Sequence, residues 1–317
     1  MDALRKGEFA LRMLREDMIA PISSYSHDLN GPKPVFTLKV NLISGGLILT
    51  VAGQHQAMDY PGLGQILHLL SKACHGEPFA NEEIASGNLP RYNLIPFLDD
   101  SYQPGPELYH RVIDPPTANH TVAAPSHGPR SSWVNTIVGA RICQLHPREE
   151  ATLSRAVDIR RLFDIPESHP GTVINCVYDT ATLETFAKES LATTASRLRS
   201  QIDHKATKLG PITQAAVTML HRSSDKSILN YMGTIRTDID LMFSSFSKVN
   251  LHGLSFDFGL GTAEAVRLSL LPADPGIVYV LPKGPDGQLV LAMCLIDTEI
   301  DALKKDAEFC KYGKFVE

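Results

Sequence analysis

The chain has 317 residues, 43% of them hydrophobic and 21% charged, with a formal net charge of -5 at pH 7. That length exceeds one small core and suits two domains of roughly 100 to 200 residues. A negative balance without a Lys/Arg run argues against nucleic acid or an anionic membrane surface as a partner. The apolar stretch ISGGLILTVAG is shorter than the ~20 residues of a membrane-spanning helix.

Charged and apolar residues alternate with helical spacing at the start, MDALRKGEFALRMLRED, which predicts a helix over residues 2–16. The segment lacks the continuous apolar core and small-residue cleavage site of a secretory signal, so a cytoplasmic location is expected. Two apolar runs follow, PVFTLKVNLI (34–43) and LILTVAGQH (47–55), and Ser44-Gly45-Gly46 between them reads as a hairpin turn. Asp59 can cap a helix whose first turn tolerates Pro61, and Leu63, Ile66, Leu67 and Leu70 recur at helical spacing up to Cys74. Residues 104–132 are rich in Pro, Ser, Thr and Gly and read as a crossover.

The expected division is therefore 1–115, a linker over 116–132, and 133–317. The second part opens on WVNTIVGARICQL and carries a predicted long amphipathic helix over 181–202, with Leu183, Phe186, Leu191, Ala195, Leu198 and Ile202 on one face. Strands are expected at LMFSSFSKV, GIVYVLP and QLVLAMCLI, the last two joined by a turn at Lys283-Gly284-Pro285-Asp286-Gly287. The pattern is mixed α/β, without repeats, a Rossmann glycine fingerprint or a phosphate-binding P-loop. Cys74, Cys143, Cys176, Cys294 and Cys310 are scattered and form no C-x-x-C pair, so free thiols are expected and no metal site is suggested.

His55-x-x-x-Asp59 ends the second apolar run. With 12 His in the chain, about one such spacing arises by chance, and two others occur, His110/Asp114 and His221/Asp225. His110 borders the Pro-rich stretch and His221 sits in HRSSDKS, both expected to be solvated, whereas His55 closes a buried-looking strand. On local pattern alone the commoner reading is a helix cap beside a core histidine. The functional reading needs a neutral imidazole that takes a proton from a hydroxyl or thiol. In Phe256-Asp257-Phe258-Gly259-Leu260-Gly261, the two glycines permit a backbone path closed to other residues. A tight turn held by Asp257 is the alternative there.

Taken in this order, His55-Gln-Ala-Met-Asp59 and Asp257-Phe258-Gly259-Leu260-Gly261 resemble the paired H-x-x-x-D and D-F-G-W-G signatures of the BAHD acyltransferases. Within them they resemble the fungal trichothecene 3-O-acetyltransferase group. VFTLKVNLISGGLILTVAGQHQAMD, AVDIRR, ESLATTASRLRSQID and the tail from LPKGPDGQ to KYGKFVE extend the likeness over most of the chain. The resemblance implies two chloramphenicol-acetyltransferase-like α/β domains with mixed sheets and a channel between them. It implies an acyl-CoA, such as acetyl-CoA, as co-substrate and a hydroxylated small molecule as acceptor.

By that resemblance His55 is the base, facing an interior cleft. Asp59 is structural and pairs with Arg160, while Asp257, Gly259 and Gly261 order a loop remote from bond making. Ser244, Ser245 and Lys248 are the candidates for the CoA side, with Arg236 a further one. Relative to the family pattern, a portion ahead of Met1 and a segment between HRVIDPP and SSWVNTIV are expected to be missing. The first domain would then be incomplete, and self-association through exposed strand edges becomes an expectation. A truncated relative that binds a ligand or partner chain without acyl transfer, and a cavity repurposed for cyclisation, stay open as alternatives.

Overall fold

The computed structural model describes residues 1–22, 34–112, 147–203, 205–230, 234–236, 239–269, 276–295 and 297–316. The predicted linker 116–132 and the stretch WVNTIVGARICQL lie outside the described residues.

The N-terminal helix is broken into α1 (Asp2–Lys6), a short 3-10 turn (Leu11–Met13) and α2 (Glu16–Ile19). Gly7 ends the first piece, and Glu8 and Phe9 follow with φ of 49° and 55°, which no helix accommodates. The hairpin forms as expected from β1 (Phe36–Ile43) and β2 (Gly46–Gly53), paired antiparallel with Ile43 opposite Gly46. Gly45 takes a left-handed φ of 78° at the second position of the two-residue turn, where glycine carries no steric cost. α3 (Tyr60–Cys74) follows, then α4 (Asn81–Gly87).

The second part is built on a five-stranded mixed sheet, β4-β3-β5-β6-β7, formed by β3 (Glu150–Asp158), β4 (Ile174–Thr182), β5 (Leu241–Ser245), β6 (Ile277–Val280) and β7 (Leu291–Met293). β3 is antiparallel to β4 and parallel to β5, β5 is parallel to β6, and β7 turns back antiparallel. The helix expected over 181–202 is instead the end of β4 followed by α5 (Leu183–Lys188) and α6 (Leu191–Ser200). Side-chain caps decide this break: Thr182 Oγ1 accepts from the Thr185 amide, and Ser190 Oγ accepts from that of Thr193. Leu183 and Phe186 enter the core, while Leu191 remains 58% exposed.

α7 (Leu209–Arg222) and α8 (Asp297–Lys305) complete the helices used below. Ala151, Leu153, Leu183, Phe186, Ile239, Leu241 and Val278 form one core cluster, and Ile159, Ile165, Val173, Val177 and Leu209 a second beside the end of β3. No helix of the described residues is long and apolar enough to cross a membrane.

Candidate active site

The strand-to-helix junction that carries His55 is tightly folded. The Gln54 amide donates to Val35 O, one step past β2, and Gln54 O then accepts from the Ala57 and Met58 amides, closing a turn over residues 55–57. A Cβ on Gly53 would lie 2.5 Å from Met58 Sδ, so the missing side chain lets buried Met58 fold back over the strand end. Asp59 then caps α3, its Oδ1 accepting from the Gly62 amide at 2.8 Å.

Asp59 and Arg160 are paired, and both are almost wholly buried at 2% and 1% exposure. Arg160 Nη2 donates to Asp59 Oδ1 at 2.8 Å and Nη1 to Oδ2 at 2.9 Å, a two-pronged contact across 101 residues of sequence. The amides of Gly62 and Val173 fill the remaining acceptor positions of the carboxylate. The guanidinium is equally occupied. Nη1 also reaches Asp158 Oδ1, Nη2 reaches the carbonyls of Gly171 at 2.6 Å and His169 at 3.1 Å, and Nε reaches His169 O. Burial pulls the Arg160 pKa down, but the hydrogen bonds and charge of Asp59, then Asp158, outweigh it and leave the group above its ordinary value. A buried pair with every donor and acceptor used is the arrangement in which low dielectric strengthens rather than penalises the contact.

α3 is held between two segments of the second part. A Cβ on Gly62 would stand 2.2 Å from Pro170 O, and one on Gly64 2.4 Å from Val249 Cγ1, so the two glycines permit contacts that alanine would prevent. The Tyr60 ring stacks on Phe246 with centroids 3.7 Å apart and planes 7° apart, and burial pushes the Tyr60 phenol up. Phe246 directly follows β5. The stack therefore brings Ser244, Ser245 and the exposed Lys248 to the same end of the sheet as the His55 turn. Ser245 Oγ and Ser247 Oγ are 3.0 Å apart, and the Lys283 amide donates to Ser247 O, which adds a second lysine to that end.

Several expectations need correction. His55 is exposed rather than set in an interior cleft, because the inward positions of its turn are taken by Met58 and Asp59. Among the described residues its ring has no hydrogen-bond partner; its carbonyl accepts from Thr172 Oγ1 at 2.6 Å. Arg236 precedes β5, at the far end of the strand from Ser245. There it donates to Glu150 O and lies 3.6 Å from Glu149, so it does not join Lys248. His110 is half-buried, stacked on Tyr178 and bonded to Thr234 Oγ1, and burial, then Arg111, lowers its pKa. His221 is exposed as expected, against Phe97.

Asp257 adopts φ 55° and is exposed, and its carboxylate has no partner among the described residues, so it does not order its loop through the side chain. The loop is shaped by backbone: Gly259 and Gly261 at φ 72° and 76°, and a bridge between Ser255 and Thr262. Ser71 Oγ donates to Ser255 O, which fixes the loop near the C-terminal end of α3, ~18 Å along the helix from Asp59 at the α-helical rise. Among the described residues no three His, Cys, Asp or Glu side chains cluster as metal ligands.

Residues 1–74 match the family model of the trichothecene 3-O-acetyltransferase-like N-terminal domain. All of the chain aligns with the O-acetyltransferase dmxR13 of Cryptosporiopsis sp. at 36% identity and with trichothecene 3-O-acetyltransferase TRI101 of Fusarium sporotrichioides at 34%, spanning 78% and 77% of those proteins. The chain belongs to the trichothecene 3-O-acetyltransferase-like family. The crystal structure of F. sporotrichioides TRI101 complexed with coenzyme A and T-2 matches all of this chain and 78% of that one, with a TM-score of 0.89 at 35% identity. Vinorine synthase, at 14% identity and a TM-score of 0.60 over 95% of this chain and 74% of its own, shares the fold, in keeping with the BAHD resemblance of the sequence.

Sequence reasoning placed this family member's Asp59 and Arg160 but missed the segment His169–Val173, which supplies two carbonyls, an amide and a hydroxyl to the junction. The Pro-Gly pair in HPGTV signals a turn; nothing in it signals what the turn grips.

Proposed function

We propose that this chain is an acyl-CoA-dependent O-acyltransferase that moves an acetyl or other acyl group to a hydroxyl of a small secondary metabolite such as a sesquiterpenoid, with His55 as general base. An imidazole nitrogen of His55 takes the acceptor's hydroxyl proton as that oxygen attacks the thioester carbonyl. The tetrahedral oxyanion collapses, the C–S bond breaks, and the departing CoA sulfur takes the proton back from the imidazolium. Asp59 takes no proton in this scheme. Its pairing with Arg160 fixes the turn from which His55 projects, and that fixed turn is the observation that carries the reading. Relatives named O-acetyltransferases, and a structural match complexed with coenzyme A, support the choice of acyl donor. Ser244, Ser245 and Lys248 serve the CoA side, a lysine being suited to its phosphates in a chain of net negative charge.

The exposure of His55 favours a second reading, a scaffold that binds a ligand or partner without acyl transfer. The purified chain, given acetyl-CoA and a panel of hydroxylated sesquiterpenoids, decides between them by thiol release. Turnover that falls ~10²- to 10⁴-fold in His55→Ala, with folding unchanged, is the expected result. CoA binding should weaken with salt, since screening shortens to ~3 Å at 1 M. A folded chain that releases no thiol and gives no calorimetric heat with CoA at low salt leaves the second reading.

A further inference from the structure

We propose that Thr172 is a positioning residue for His55, an inference that rests on the acyl-transfer reading of this site. The backbone turn after β2 uses Gln54 O twice, for Ala57 and Met58, and the His55 carbonyl is bonded instead by the Thr172 hydroxyl at 2.6 Å. The next residue, Val173, donates its amide to Asp59 Oδ2 at 2.8 Å. Two consecutive residues of one segment therefore hold both ends of His55-x-x-x-Asp59.

The segment can do this because it is itself immobilised. Its carbonyls at His169 and Gly171 are bonded by the buried Arg160 guanidinium, and the His169 ring, 1% exposed, donates Nδ1–H to Ser86 O at the end of α4. Val173 packs in the core cluster of Ile159, Ile165 and Val177. Thr172 is thus a branched side chain with a restricted χ1 on a fixed backbone, which presents its hydroxyl from one direction. The two grips differ in kind. The Asp59 end is closed off from water and redundant, with four donors. At the His55 end this segment makes a single exposed hydrogen bond, so its hold on the backbone that carries the base rests on one hydroxyl.

Loss of that hydroxyl leaves the fold and the Asp59 end of the turn in place and loosens its His55 end. Thr172→Val keeps the shape and removes the donor, whereas Thr172→Ser keeps the donor. In the full chain with acetyl-CoA and an accepted alcohol, Thr172→Val is expected to lower kcat roughly 5- to 10-fold, the worth of one ordinary hydrogen bond. KM for both substrates and Tm stay at the wild-type values, and Thr172→Ser restores kcat. Amide hydrogen exchange supplies a readout that needs no turnover. Exchange over residues 54–58 should quicken in Thr172→Val while the first turn of α3 remains protected.

A wild-type kcat in Thr172→Val overturns the proposal, and so does a loss that Thr172→Ser fails to rescue or that moves with KM and Tm together. If the wild-type chain transfers no acyl group, the acyl-transfer reading fails, and exchange then decides the grip alone. Unchanged exchange over 54–58 refutes it, and quickened exchange upholds it.

Discussion

Two short stretches, each with an aspartate and each part of the same sequence signature, are held in place by opposite means. Asp59 is 2% exposed and uses its four acceptor positions on Arg160, Gly62 and Val173. Asp257 is exposed in a left-handed conformation, with no partner for its carboxylate among the described residues. In the first stretch the side chain holds the backbone together; in the second the backbone, through two left-handed glycines and the Ser255–Thr262 bridge, makes the shape and the side chain is a passenger. An aspartate that recurs in a motif can therefore be there for its charge or for its tolerance of an unusual φ, and spacing does not say which.

The largest effect that would break this contrast is at Asp59. Asp59→Ala removes the buried counter-charge of the Arg160 guanidinium and leaves only the half-exposed Asp158 carboxylate beside it, and the expected loss is roughly 3 to 5 kcal/mol of unfolding free energy, read by urea denaturation. A loss below about 1 kcal/mol, within the range of exposed pairs, would mean the cage is dispensable and the two stretches are alike.

What could be read in advance follows the same division. The hairpin turn at Ser44-Gly45 and the Asp59 cap are local devices whose chemistry is written in adjacent residues, and both appear where expected. Arg160, 101 residues away, was reachable only through the family likeness. The carbonyls of His169 and Gly171 were out of reach altogether, because every sequence offers the same backbone and only folding shows which groups converge. Helical spacing failed at residues 2–16 and 181–202 for a related reason: periodicity records which face is apolar, while Gly7 and the caps at Thr182 and Ser190 decide where a helix stops. The exposure of His55 followed from Met58 and Asp59 turning inward, a choice made by packing against Gly53 and Arg160.

A pair of glycines sharpens the comparison at intermediate cost. Gly62→Ala drives a methyl to 2.2 Å from Pro170 O and 3.2 Å from Asp59 Oδ1, both in a region that cannot give way without loosening the cage. The expected destabilisation is about 1 to 3 kcal/mol, the range for overpacking. Gly259→Ala meets nothing within 4 Å but must hold φ 72°, so its cost is purely conformational and should be about 1 kcal/mol. The two variants also differ in reach, since Gly62→Ala should quicken hydrogen exchange across the α3 junction and Gly259→Ala only within residues 255–262. Equal costs with equally local exchange would show that the α3 contact is as pliable as the exposed loop.

The smallest effect is expected at Asp257, where the comparison is most exposed to failure. If the carboxylate contributes nothing but tolerance of φ 55°, then asparagine, which also enters the left-handed region readily, replaces it within about 0.5 kcal/mol. Alanine tolerates that φ less well, so Asp257→Ala should cost more than Asp257→Asn although both remove the same charge. Urea denaturation of the two variants side by side separates the explanations. Near-identity of Asp257→Asn with the parent, and a measurable loss in Asp257→Ala, assigns the residue to backbone geometry. An equal and substantial loss in both would mean that the charge matters. Asp257 would then need a partner that the Asp59 cage finds within the fold and the exposed loop acquires only when something binds against it.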